Sequence, residues 1–217
     1  MKNATCSFEK VIEVIKEINN LHLFISSRLN ASMNYNLKNS ISSVVVDGTI
    51  DKDFQTLITN YKSALNRNII VISEIQNHFP EIRLRIKQAE SINEKLLYYM
   101  GNDVTNGKVP INKCLNDFLG FRILIDDNLE NLLKILDENK SMLKISRLYL
   151  RVEGEYRGLH LYFKNGNNKY FPWELQIWHK DHLTINENSH KEHKQKRKYI
   201  TVPQEYFEAN LEERGDD

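Results

Sequence analysis

Arg85, Lys87, Ser91 and Lys95 place three cations and a hydroxyl in one short segment. Arg85 and Lys87 stand two apart and share one face of a strand. Ser91 and Lys95 stand four apart and share one face of a helix. A helix opening near Ala89 adds unpaired backbone N–H groups and the positive end of its dipole. Converging on one spot, these groups make a cradle for a polyphosphate. The same residues also suit a solvated basic strand edge followed by a helix, and the segment alone does not choose.

Carboxylates downstream bear on that choice. Asp117 stands at the entrance of the apolar run 118–125, where it caps a turn or holds a metal. In the run 171–178, alternation puts Trp173, Leu175 and Ile177 on one face and Glu174, Gln176 and Trp178 on the other. That second face is either solvent-exposed or the floor of a site. If the two runs adjoin in a sheet, Asp117 and Glu174 can share a magnesium ion, which takes a few carboxylates plus substrate phosphates. Tyr156, Gly158, His160 and Tyr162 fall on one side of a further strand. Tyr156 can stack on a nucleobase and Gly158 leaves room for a ligand, or the group is a set of satisfied structural residues beside a hairpin. The run His190-Lys-Glu-His-Lys-Gln-Lys-Arg-Lys-Tyr199 is the densest in charge. It suits a phosphate backbone or a solvated helix face.

These residues need a scaffold, and hydrophobic periodicity outlines one. Phe8, Val11, Ile12, Ile15, Ile18 and Leu21 form a helical stripe, and Phe54, Leu57, Ile58, Tyr61, Leu65, Ile69, Ile72 and Ile75 form a second after an Asp47-Gly48 turn. Strands are expected over 84–87, 118–125, 144–152, 157–164 and 170–178, with helices over 89–100 and 129–139. Asn165-Gly-Asn-Asn168 reads as a hairpin turn. A basic helical segment over 190–199 and a last helix opened by Pro203 complete the chain. The fold class is α+β (mixed α/β): a mixed sheet of about five strands flanked by helices, with a helical N-terminal region. The expected division is a helical region over 1–79 packed on a core over 80–200, then a C-terminal helix and tail over 201–217.

Composition narrows the classes. A chain of 217 residues with 30 basic and 29 acidic side chains has no net field to attract nucleic acid or a membrane, so local clusters must carry any such case. Cys6 and Cys114 are too few for a disulfide framework or a zinc site. No signal peptide or membrane-spanning run is visible, which leads to a cytoplasmic expectation without membrane contact.

Taken in order, the segments Arg85-x-Lys87-x3-Ser91-x3-Lys95, Asn116-Asp117-Phe-Leu-Gly120-Phe-Arg122, Tyr156-Arg-Gly-Leu-His160, Glu174-Leu-Gln176 and the His193/Lys194 run resemble the RelA/SpoT nucleotidyltransferase (alarmone synthetase) domain. The resemblance covers roughly residues 80 to 200. It implies a nucleotidyltransferase-like mixed sheet and an ATP pyrophosphotransferase that moves the β,γ-pyrophosphate to a 3′-hydroxyl and releases AMP. By that resemblance Arg85, Lys87, Ser91, Lys95, Arg122, His193 and Lys194 would bind ATP. Asp117 and Glu174 would hold Mg2+, with Glu174 as base. Tyr156, Arg157, His160 and Gln176 would bind the acceptor, Tyr156 by stacking on its base.

Two departures bear on the acceptor. Guanosine-alarmone enzymes commonly follow the Glu-x-Gln element with Ile-Arg-Thr, where this chain has Ile177-Trp178-His179, and Glu155 stands where a Gly usually precedes the Tyr. With Phe171-Pro-Trp-Glu-Leu-Gln, the chain is most similar to the toxic small alarmone synthetases of toxin–antitoxin pairs. The expected acceptor is the CCA end of tRNA, with a protein antitoxin as partner. The alternatives are a synthetase acting on purine nucleotides, making (p)ppGpp or (p)ppApp, and a non-catalytic nucleotide- or RNA-binding protein.

Overall fold

The structure, a computed structural model, describes residues 8–29 and 35–195, with side chains described up to residue 189. The first stripe forms helix α1 (Phe8–Leu29), whose buried side includes Val11, Val14, Ile15, Ile18 and Ile25. A two-stranded hairpin, β1 (Val45–Val46) and β2 (Thr49–Ile50), turns at Asp47 and Gly48, both at positive φ. Asp51 then caps α2 (Lys52–Arg67) by accepting a bond from the Phe54 N–H at 2.9 Å.

The second stripe is not one helix. It divides into α2, α3 (Ile69–Ser73) and α4 (Ile75–His78). The first division lies at Asn68, whose side-chain amide donates to the Ala64 carbonyl at 2.8 Å while its backbone N–H also bonds the last turn of α2, and the second lies at Glu74. An amide that satisfies orphan carbonyls ends a helix even where the apolar spacing continues.

Five strands build the main sheet: β3 (Arg83–Ile86), β4 (Leu119–Ile125), β5 (Arg147–Glu153), β6 (Tyr156–Phe163) and β7 (Trp173–His179), in the order β3-β4-β7-β6-β5. Only the β4–β7 pair is parallel, so the sheet is mixed. Helix α5 (Ala89–Gly101) follows β3, the single turn α6 (Ile111–Cys114) precedes β4, α7 (Leu129–Glu138) joins β4 to β5, and α8 (Leu183–Gln195) follows β7. The expected fold class, a mixed sheet with flanking helices and a helical N-terminal region, is the one observed. The expected last helix lies outside the described residues, as does Cys6.

Period-two alternation gives the sheet two unlike faces. Leu119, Phe121, Ile123, Leu159, Leu161, Phe163, Trp173, Leu175 and Ile177 join one core with α1, α2 and α7. Tyr61 on α2 accepts a hydrogen bond from the buried Trp173 indole at 2.7 Å, and His22 on α1 packs edge-on against the same indole. The opposite face carries the polar residues.

Candidate functional site

Register explains why the polar face is dense. Gly120 pairs with Glu174 and Glu174 with Tyr162; Arg122 pairs with Gln176, Gln176 with His160, and His160 with Tyr149. Apart from Gly120, two consecutive rows of one face therefore carry charged, amide, imidazole or phenolic side chains. Arg85 pairs with Gly120, which puts its exposed side chain on the same face at the β3 edge.

Asp117 lies three residues ahead of Gly120, at the end of the sheet where Glu174 begins its strand. Lys87, only 5% exposed, continues β3 by donating its backbone N–H to the Phe118 carbonyl and brings Nζ to 2.6 Å from Asp117 Oδ2. Lys95 reaches Oδ1 from α5 at 3.5 Å. Burial opposes ionisation of Asp117, but the two ammonium groups outweigh it and hold the carboxyl down to about 2. The strand pair and helix face of the basic segment thus converge on a carboxylate. Ser91 lies on α5, half-buried.

Glu174 is held by different means. It is 9% exposed. Its Oε1 lies 2.8 Å from His160 Nδ1 and accepts the Tyr162 hydroxyl at 2.8 Å, while Oε2 accepts the Gln176 amide at 3.0 Å. Burial raises its pKa, His160 and Tyr162 lower it, the Asp117 charge raises it, and the balance lies below the ordinary value. Each carboxylate oxygen accepts about two bonds. Among the described donors Oε1 is saturated, whereas Oε2 keeps one position for a substrate hydroxyl or a metal. Tyr162 stays protonated, because burial, Glu174 and Tyr149 all push its pKa up.

The remaining predicted residues divide. Arg122 lies 3.5 Å over the Trp178 ring and donates to Gln176 Oε1 at 3.2 Å. His160, 2% exposed, sits between Glu174 and the Tyr156 hydroxyl. Tyr156 corrects the expectation of an open stacking platform. Its ring is 4% exposed, its hydroxyl lies 2.8 Å from His160 Nε2 and accepts the Trp178 indole N–H at 3.0 Å, and burial pushes its pKa up to about 12. Gly158 is corrected too: a Cβ there would meet Trp178 at 2.7 Å, so the indole takes the room expected for a ligand. Arg157 points to the other face, where it pairs with Glu130 of α7. The side chains of His193 and Lys194 lie outside the described residues.

Arg147, Tyr149 and Arg151 share this face without belonging to any motif above. The Tyr149 ring lies parallel to His160, centroids 5.4 Å apart, and Arg147 and Arg151 stand by the Tyr149 and Tyr156 rings. Their signal is alternation alone, 147, 149 and 151 in a strand paired with 158–162. Among the described residues no three His, Cys, Asp or Glu side chains gather as a metal cluster. The hard oxygens of Asp117 and Glu174 are the donors suited to a cation that also takes phosphate oxygens. No helix among the described residues is long and apolar enough to cross a membrane.

No protein-family model matches the chain, and neither does any curated protein. Among solved structures it is similar to small alarmone synthetase 1 from Bacillus subtilis, at 16% identity and a TM-score of 0.34 over 76% of this chain and 98% of that one. The same enzyme bound to its product pppGpp matches at 19% and 0.36 over the same shares. Its complex with AMPCPP matches at 18% and 0.32, over 66% of this chain and 77% of that one.

Proposed function

We propose that this protein transfers the β,γ-pyrophosphate of ATP to a 3′-hydroxyl, with the CCA end of tRNA as acceptor, and so acts as a translation-inhibiting toxin of the cytoplasm. One observation carries the reading: Asp117 bracketed by Lys87 and Lys95, beside the buried, ionised Glu174 on one sheet face. Transfer of this kind depends on positioning and charge stabilisation more than on covalent chemistry. Arg85, Lys87 and Lys95 supply cations for the phosphates. The open position on Glu174 Oε2 suits a base that takes the proton of the attacking hydroxyl, a role worth about 10²–10⁴ in rate. Asp117 and Glu174 would hold magnesium, which when bound neutralises charge on the pyrophosphoryl group.

Charge supports the tRNA acceptor. Lys191, Lys194, Lys196, Arg197 and Lys198 give the chain a basic run suited to a tRNA backbone. A protein antitoxin is the partner this reading implies.

ATP labelled on its terminal phosphate, offered with GDP, GTP, ATP or deacylated tRNA in turn, tests the proposal. Label in tRNA alone is the expected result. Label confined to nucleotides replaces the tRNA acceptor with alarmone synthesis, and no transfer at all leaves a nucleotide- or RNA-binding protein. Glu174→Gln should abolish transfer with the fold retained; full activity in that variant removes Glu174 from its role.

A further inference from the structure

Six side chains on the polar face close a ring. The Trp178 indole N–H donates to the Tyr156 hydroxyl at 3.0 Å, that hydroxyl lies 2.8 Å from His160 Nε2, and His160 Nδ1 lies 2.8 Å from Glu174 Oε1. Gln176 donates to Glu174 Oε2 at 3.0 Å and accepts from Arg122 at 3.2 Å, and Arg122 lies 3.5 Å over Trp178. Four members, Trp178, Tyr156, His160 and Glu174, are buried.

The direction of the hydrogen bonds is set from both ends. An indole N–H only donates, so the Tyr156 oxygen accepts it and its one O–H is left for His160. A carboxylate only accepts, so His160 carries a proton on Nδ1, and as a neutral imidazole it presents a bare Nε2. Both constraints meet at the Tyr156–His160 bond without a conflict. Gly158 is part of the same device. The register that pairs Leu159 with Ile177 sets it beside Trp178, and any Cβ there would lie 2.9 Å from the indole nitrogen and 3.1 Å from the Tyr156 hydroxyl.

We propose that Trp178, Tyr156 and His160 form a one-way hydrogen-bond chain that orients Glu174, which makes Trp178 a positioning residue for the base. The inference rests on the function proposed above for the role of Glu174, but not for the chain itself. With Oε1 held by His160 and Tyr162 and Oε2 accepting from Gln176, the carboxylate is fixed in one orientation. Buried polar chains of this kind rigidify a site only while every member is satisfied. Loss of the indole N–H therefore loosens Glu174 three hydrogen bonds away.

The test has a spectroscopic arm and a kinetic arm, both on the full chain. Nitrogen-15 histidine spectra, with the His160 signals assigned through His160→Gln, should give His160 a protonated Nδ1 and a bare Nε2. Trp178→Phe keeps the ring under Arg122 and does not touch His160, yet should move the Nε2 resonance toward its value in Tyr156→Phe. An Nε2–H tautomer, or a resonance unmoved in Trp178→Phe, overturns the chain. In the labelled-ATP assay Trp178→Phe should lower kcat about tenfold, as loss of one hydrogen bond does, with KM for ATP within about twofold. Gly158→Ala, which displaces the indole without removing any hydrogen-bonding group, should lower kcat likewise. Unchanged kcat in both variants overturns the positioning role. A wild-type protein that transfers nothing to any acceptor sinks the functional reading instead, and the Nε2 resonance still decides the chain.

Discussion

Lys87→Met tests whether the Asp117 cluster is built as described. The side chain of Lys87 is 6% exposed and that of Asp117 30%, with 2.6 Å between the charged atoms. In the folded protein Asp117 titrates near 2 against an ordinary 3.8, a difference worth about 2.5 kcal/mol at roughly 1.4 kcal/mol per pH unit. Methionine matches the aliphatic length of lysine, so packing changes little, but the carboxylate loses its nearer cation. Removing one partner of a buried pair typically costs 3–5 kcal/mol. Lys95 remains at 3.5 Å and Asp117 is partly exposed, which puts the expected loss at or just below the bottom of that range, about 2–3 kcal/mol. Urea denaturation at pH 7 should show a lower midpoint with an unchanged slope. The sign with pH is definite. Asp117 has a depressed folded pKa, so its stabilisation is complete above about pH 4 and is lost as pH falls toward 2. In the variant the Asp117 contribution should be smaller, and its acid loss should end at a higher pH. A midpoint within about 0.5 kcal/mol of wild type, and an acid limb that does not move, would refute the argument that Lys87 holds Asp117 ionised.

Tyr61→Phe leaves the buried Trp173 indole N–H without its 2.7 Å acceptor and should cost about 1–3 kcal/mol, read as a lower thermal midpoint. His22 donates to the Phe171 carbonyl and accepts from Asn165, and burial lowers its pKa from 6.5 to about 4. The unfolded chain therefore takes up a proton that the folded one refuses, and stability should fall by up to about 3 kcal/mol between pH 6.5 and 4. His22→Gln should remove that segment of the pH dependence; equal urea midpoint shifts between pH 7 and 5 in both proteins would contradict it. Asp117→Asn frees Lys87 and Lys95 from their carboxylate and should tighten ATP binding in chelator by roughly tenfold while transfer is lost, measured by calorimetry. Weaker metal-free binding would count against the cations as phosphate ligands.

Much of the scaffold is legible in the sequence because burial on one face writes a period of two. Trp173, Leu175 and Ile177 against Glu174, Gln176 and Trp178 is such a pattern, and the folded strand follows it. Alternation also places Arg157 opposite Tyr156, and there the structure follows alternation instead of the role that family resemblance implies. What stays illegible depends on neighbours distant in sequence. Nothing in 156–160 announces that Trp178 fills the space over Gly158, since that follows from the register between β6 and β7. The break at Asn68 is local but masked, because one amide bond to Ala64 overrides an uninterrupted apolar stripe.

The two carboxylates of the site are kept ionised by opposite means, and this decides how a triphosphate would be received. Glu174 relies on donors from its own sheet face, His160, Tyr162 and Gln176, which a ligand has no reason to displace. Asp117 relies on Lys87 and Lys95, the same cations a polyphosphate would claim. Arg85, Lys87 and Lys95 against Asp117 and Glu174 leave a single net positive charge, too little for a triphosphate. Once those lysines turn to phosphate oxygens, Asp117 has lost its counter-charge and becomes the carboxylate that most needs another cation. Glu174 needs none. On the proposed function, Asp117 would have the stronger claim on a magnesium ion shared with Glu174, and Glu174 Oε2 would remain open to the acceptor hydroxyl.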